Sequence, residues 1–440
     1  MNKFAKGLAV GMIGLCALAA GYGVAQVISV PQVSVINSGD LFQDVVNGAP
    51  QAGNVYANAS LLGNYSASLP GNHYDNALIG GDFTTNLFSY GTAPATLTTA
   101  TTYVANRWFA WSGTTTTLAG AQETAAADIP ADYGASLRMT RSGAGILQAC
   151  VAQEVETANS YAFQGQTAEF DFHALAGAGF SAASSNLQAY IIYGTGTDEG
   201  SVAMAFGLNA QNTAQSNQGL AAKAWTGQTN LGPFLVPIVP GWARYTVAAP
   251  IPVTATEVAV ALCWKPVGGS PSNDYFEFTG AQLSRNTALT AAAGAAGAYI
   301  GVNDLRAKSF ARRSQQQETA LQQRYYWQYT EAANTDPDIA FGQAIAANFA
   351  RFLVQNPVTM RVAATPKATL GTLALQLATG AGGLTALTAW TATSSGSGVN
   401  SPQLTAFLAT VASGLTAGHS LILNGGNSTG GGIVGADAEL

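Results

Sequence analysis

From about Asn76 onward, short runs in which apolar and polar residues alternate are separated by clusters of Gly, Asn, Pro and Ser. This is the period-two pattern of half-buried strands joined by turns. In the clearest run, Ala168 to Ala174, one face carries Ala168, Phe170, Phe172 and Ala174 and the other Glu169, Asp171 and His173. A second spans Glu257 to Trp264, with Val258, Val260, Leu262 and Trp264 on one side. Polar residues opposite a core are solvated by default. Glu169, Asp171 and His173 are therefore expected on a wet face, not as metal ligands or an acid–base set. One segment breaks the alternation: between Phe310 and Tyr329 the chain is rich in Arg, Gln and Glu without Gly or Pro, which predicts a helix joining two β-modules. Alternation returns beyond Asp338, in Ala344 to Val354, Val358 to Ala364, Leu370 to Leu377, Leu384 to Thr391, Leu404 to Val411 and Ser420 to Leu423. These runs predict a second, smaller β-domain.

The amino terminus follows a different pattern. Lys3 and Lys6 precede an uncharged stretch from Gly7 to Ala25 that closes on Gly23-Val24-Ala25 before Gln26. This is the layout of a secretory signal peptide. A hydrophobic plug anchoring the chain in a larger particle and a transmembrane helix of marginal length remain as alternatives. Residues 27–76 read as a polar, turn-rich attachment segment.

Composition narrows the functional classes. The 440 residues allow two or three domains, and only 9% are charged, so the exterior must be built from small neutral polar groups. Such a surface suits extracellular β-structures and particle proteins. A net charge of −6, with 17 basic residues scattered along the chain, leaves no footprint for a phosphate backbone, and nucleic acid is not expected as a partner. Of three cysteines, Cys16 falls in the leader, while Cys150 and Cys263 sit in apolar runs. Buried free thiols are the preferred reading of that pair and a Cys150–Cys263 bridge the alternative.

Candidate chemistry is thin. With 23 acidic residues and only His73, His173 and His419, no nucleophile elbow, metalloprotease helix or usable phosphate loop occurs. The string Gly194 to Gly200 lacks the lysine of a nucleotide loop and reads as an exposed turn. Asp274 and Glu277 are assigned no catalytic role, and the chain is expected not to be an enzyme. Sugar binding without chemistry asks only for aromatic platforms with amide or carboxylate partners. The candidates are Trp111, Tyr193 and Trp225, at or near loops, with Gln228 and Asn230. Trp108, Trp242 and Trp264 are expected in the core. No cofactor is expected, and calcium is supported by no motif.

Several landmarks together resemble the jelly-roll module of phage tail-fibre and related virion proteins, which is similar in fold to carbohydrate-binding modules. They are Leu78-Ile79-Gly80-Gly81-Asp82-Phe83, Tyr103 to Trp111, Gly241 to Val247 and Asp274 to Leu283, followed by Gln323-Arg324-Tyr325-Tyr326 and the terminal Ala436-Asp437-Ala438-Glu439-Leu440. The resemblance implies the jelly-roll sandwich 77–285 and the C-terminal β-domain 336–440; with the leader 1–26, the attachment segment 27–76 and the linker with helix 286–335 read above, the chain is expected to be all-β. It implies a virion structural protein, a tail fibre, spike or head fibre, that assembles as a homotrimer. Its N-terminal segment would join other virion proteins and its jelly roll would meet a host surface glycan. The Ala/Gly-rich insertion Thr287 to Tyr299 lengthens the link beyond the family's usual spacing, and the signal-like leader keeps a secreted or periplasmic prophage-encoded carbohydrate-binding protein as the alternative.

Overall fold

The structure is a computed structural model that describes residues 41–43, 45–46, 49–50, 56–58 and 76–85. From 95 to 439 it describes all but 98–99, 113–117, 126–128, 144–147, 183–185, 211–223, 269–271, 331–337, 370–372, 378–384, 393–399 and 426–432. The leader and Cys16 lie outside the described residues. The chain divides into two units, Met1–Asn72 and His73–Leu440. In the first, β1 (Leu41–Gln43) pairs with β4 (Tyr56–Asn58), and β2 (Val45–Val46) pairs with β3 (Ala49–Pro50), each antiparallel.

The second unit is all-β and opens with a jelly-roll sandwich. One sheet has six strands in the order β13 (Thr229–Val236), β12 (Leu187–Gly194), β15 (Glu257–Trp264), β10 (Ala149–Val155), β7 (Trp108–Ser112) and β6 (Thr102–Ala105). The other has seven: β17 (Ala298–Val302), β14 (Ala243–Pro250), β11 (Thr167–Ala176), β16 (Tyr275–Arg285), β9 (Ser136–Arg141), β8 (Leu118–Glu123) and β5 (Ala95–Thr96). The chain changes sheet at eight of the twelve connections from β5 to β17, so strands distant in sequence lie side by side. The alternations read from sequence explain the core: Phe170 and Phe172 of β11 and Val258, Val260 and Leu262 of β15 face each other, all buried. Edge-to-face aromatic pairs fill the layer between, with Phe83 and Phe278 at 5.1 Å and Trp264 and Phe276 at 5.9 Å. Trp108 and Trp264 belong to this core as expected, whereas Trp242 is half-buried and outside it.

Gly81 shows why its landmark needs glycine. Its carbonyl accepts the Ala281 N–H at 2.9 Å, and an added Cβ would sit 2.1 Å from the Ala281 oxygen. The segment before the first strands can therefore lie directly on β16. The two cysteines correct the preferred reading. The β10–β15 register sets Cys150 opposite Cys263 with Cα atoms 4.1 Å apart, and the thiols form a disulfide.

Helix α1 (Ser201–Ala210) follows β12; after β17 the chain crosses the sandwich and enters helix α2 (Gln315–Gln323). Helix α2 falls inside the predicted segment and starts on a capping box, with Ser314 and Gln317 exchanging side-chain and backbone hydrogen bonds. The C-terminal module follows. Its large sheet orders β23 (Thr385–Ala386), β22 (Leu373–Leu377), β26 (Ser420–Gly425), β19 (Asp338–Ala346), β20 (Phe349–Gln355), β25 (Leu404–Thr410) and β24 (Ala389–Ala392). Its small sheet orders β18 (Tyr326–Thr330), β27 (Ile433–Asp437) and β21 (Thr365–Thr369). Three runs differ from the sequence reading. Ala344 to Val354 is a hairpin turning at Ala347-Asn348, Val358 to Ala364 forms bends rather than a strand, and Leu384 to Thr391 is divided between β23 and β24 at opposite edges of the large sheet.

Candidate functional site

Three surfaces of the jelly roll could meet a ligand, and the strand alternation decides what each presents. The outer face of the six-stranded sheet carries Phe109 and Trp111 of β7, Tyr190 and Ile192 of β12, and the disulfide. Solvent does not reach this aromatic face. Helix α1 lies over it after β12 with Met204, Ala205 and Leu208 on the rings, and Trp225, ahead of β13, packs there as well. A helix needs only one apolar face to lie on a sheet, but Ser201 to Ala210 is apolar almost throughout, so no amphipathic period announces α1.

Four of the five candidate sugar-contacting residues gather here. Trp111 and Trp225 are 1% and 2% exposed, and Asn230 is buried. Gln228 bonds the Met204 carbonyl at 3.2 Å and Asn230 Oδ1 at 2.9 Å, while its own oxygen accepts the Trp225 N–H at 3.0 Å. Trp111 lies in β7, one residue from the end of the strand. Tyr193 is set apart, half-buried against the main core.

The roof is pinned by carboxylates. Trp225 donates its ring N–H to the Glu199 carbonyl at 2.8 Å, and the Glu199 N–H donates to Glu257 Oε1 at 2.6 Å. The second Glu257 oxygen is buried with no hydrogen-bond partner. Burial, with the Glu199 and Asp198 charges adding to it, pushes Glu257 up to about 7. The folded protein thus keeps a proton that the unfolded chain releases near its ordinary 4.5, so stability falls as pH rises from 4.5 to 7. Glu257→Gln is expected to remove this loss. Between pH 4.5 and 7.5 the wild type should lose on the order of 2–3 kcal/mol more than the variant in urea unfolding, and equal slopes would contradict it.

The outer face of the seven-stranded sheet corrects a sequence expectation. Glu169 and Asp171 are not solvated: they are 0% and 2% exposed beneath residues 304–313, which run across the sheet as a strap. Glu169 accepts from the Lys308 N–H at 2.8 Å and Asn286 Nδ2 at 2.5 Å. Asp171 accepts from Thr246 Oγ1 at 2.6 Å and Arg244 Nη2 at 2.5 Å. Burial, then the adjoining Asp171, holds Glu169 well above the usual carboxylate range. His173 is half-buried against Tyr133, 3.3 Å from its hydroxyl. Asp274 and Glu277 are likewise structural: Asp274 pairs with Arg141 at 2.6 Å, both side chains fully buried, and Glu277 with Arg138 at 2.5 Å. Among the described residues no group of three or more His, Cys, Asp or Glu is placed to hold a metal ion.

The third surface is open. Where the strap meets α2, residues 310–318 face the segment 76–85 across a cleft of about 350 Å³. Asp82, Thr84, Phe310, Arg312 and Gln315 line it, and Arg312 Nη1 stands 3.4 Å from Asp82 Oδ2. Sequence reasoning missed these residues as a set, because about 230 positions separate Asp82 from Arg312. Their one signal was the charged pair Arg312-Arg313 in a chain so poor in charge.

No protein-family model matches the chain, and no curated protein matches it. Solved structures are similar in part. The enzymatically active domain of tailspike protein 4 of bacteriophage CBA120 matches 48% of this chain at 13% identity and a TM-score of 0.27, and the chain spans only 22% of that protein's length. The family 11 carbohydrate-binding module of the Clostridium thermocellum cellulase Lic26A-Cel5E matches 44% of this chain and 95% of its own, at 6% identity and a TM-score of 0.24. A family 4 carbohydrate-binding module matches 47% and 97%, at 13% identity and a TM-score of 0.23.

Proposed function

We propose that the protein is a structural component of a bacteriophage particle, a tail fibre, spike or head fibre, that displays its jelly roll to a host surface glycan. It acts as a homotrimer, joins other virion proteins through residues 1–76, and carries out no reaction. The observation that supports this best is where the scarce charges go. Arg107 with Glu439, Arg141 with Asp274, Arg138 with Glu277 and Arg244 with Asp171 are ion pairs that fasten strands and modules. Catalysis needs titratable groups facing a substrate. A display module needs a rigid body with an inert skin of hydroxyls and amides.

Purified phage particles analysed by mass spectrometry should contain this chain, three copies per native assembly, with Met1 intact. Purified protein should retain host surface polysaccharide on a column and release no reducing ends from it. Reducing ends would overturn the non-enzymatic reading. One observation favours a second reading: the Cys150–Cys263 disulfide is a bond of oxidising compartments. A secreted, prophage-encoded carbohydrate-binding protein would be found in the medium, starting at Gln26, and absent from particles.

A further inference from the structure

We propose that the cleft between residues 76–85 and 310–318 is a subsite for one neutral pyranose ring of that glycan, an inference that rests on the attachment reading above. Size is the first argument: about 350 Å³ lies at the small end of ligand pockets, room for one ring with its substituents rather than a long oligosaccharide. The second is unfilled hydrogen-bonding capacity. Asp82 Oδ1 accepts the Thr84 N–H at 3.2 Å and Oδ2 faces Arg312 at 3.4 Å, so each oxygen keeps a lone pair for a sugar hydroxyl. Arg312 spends one further N–H on the Asp132 carbonyl and leaves its side chain 47% exposed. The side chain of Gln315, exposed in the first turn of α2, makes no hydrogen bond among the described residues. Neighbouring ring hydroxyls, each both donor and acceptor, match this mixed set of carboxylate, guanidinium and amide. The half-buried Phe310 ring, held edge-on to Tyr133 at 5.4 Å, offers an apolar surface for the C–H face of a sugar.

Charge selects the class. The lining carries two carboxylates, Asp82 and Glu318, against two guanidiniums, Arg312 and Arg313, and so gives no net attraction to a uronate or a phosphate. The walls are also fixed in advance: Arg313 donates to the carbonyls of Leu78 and Asn76, and the Gly80 N–H donates to Glu318. Little ordering is left to be done when a ligand arrives.

Saturation-transfer NMR on the full chain tests this, with methyl galactopyranoside, methyl glucopyranoside and N-acetylglucosamine as probes and methyl glucuronide as the anionic control. At least one neutral sugar should receive saturation from the protein, and Asp82→Ala and Gln315→Ala should each weaken its binding about tenfold. Gln315 sits on an exposed helix turn, so its variant should melt with the wild type even if the Asp82 variant does not fold. Unchanged affinity in Gln315→Ala and in any folded Asp82→Ala, or a preference for the glucuronide, overturns the proposal. So does the absence of neutral-sugar binding by a protein that still retains polysaccharide; failure to retain any polysaccharide removes the attachment reading itself.

Discussion

A Cys150→Ala, Cys263→Ala double variant should unfold about 3–5 kcal/mol more readily than the wild type. The bridge joins residues 113 apart in sequence, and closing a loop of that size removes much of the freedom of the unfolded chain. Alanine is the right replacement because both sulfurs sit among Trp111, Ala152, Tyr190 and Met204, where a serine hydroxyl would be buried without a partner. Urea midpoints measured on both proteins decide the matter, and coincident midpoints would show that the native sheet holds β10 to β15 without the bond. Burial carries a second consequence. Since Cys150 and Cys263 are 1% and 0% exposed beneath the roof, dithiothreitol should leave the native protein oxidised, with thiols titrating only once urea has lifted the covering segment.

How much of this was legible beforehand follows from which pairings are local. The inward faces of β11 and β15 were readable because a strand with one buried side must alternate, and Phe170, Phe172, Val258 and Val260 do so. The outward faces were not. Glu169 and Asp171 have the pattern of a wet surface, yet a strap from residues 304–313 covers them, and alternation is blind to a third layer. The same blindness hides the burial of Trp111: one step along β7 from the core position Ala110, it faces a roof that the sequence does not announce. The disulfide was undecidable from spacing because it depends on a register across two strands 113 residues apart. The hairpin at Ala347-Asn348 was missed for want of glycine or proline. The open cleft follows from the same cause as the disulfide, its two walls meeting only after the chain has crossed both sheets.

The two terminal landmarks gain a physical meaning at the junction of the modules, and this gives the second large expected effect: Arg107→Ala should cost about 3–5 kcal/mol. Arg107 occupies the turn between β6 and β7 with φ 65°, a left-handed conformation rare for a non-glycine residue. That turn sets its guanidinium between the modules, where it pairs with Glu439 of the C-terminal module and donates to the carbonyl of Glu154 in β10 at 3.1 Å. It also lies over the Tyr325 ring, 3.8 Å from the centroid. Around it Arg324 binds Glu156 at 3.2 Å and the Ala438 N–H reaches the Tyr325 carbonyl at 2.6 Å, so the segment Gln323 to Tyr326 and the last strand β27 close on the jelly roll together. Removing the cation strands Glu439 beside Glu154, whose carboxyl has no hydrogen-bond partner and is already pushed well up by burial. Burial also raises Glu439 against the pull of Arg107, and without that pull its proton is held more tightly still. The deficit of the variant should therefore shrink as pH falls and neutralises Glu439, which distinguishes a lost charge from lost packing. Arg107→Lys, keeping the charge without the planar fork, should fall between the two. Calorimetry should show the C-terminal sheet of Arg107→Ala melting apart from the jelly roll; a single, unshifted transition would mean that the clamp contributes nothing.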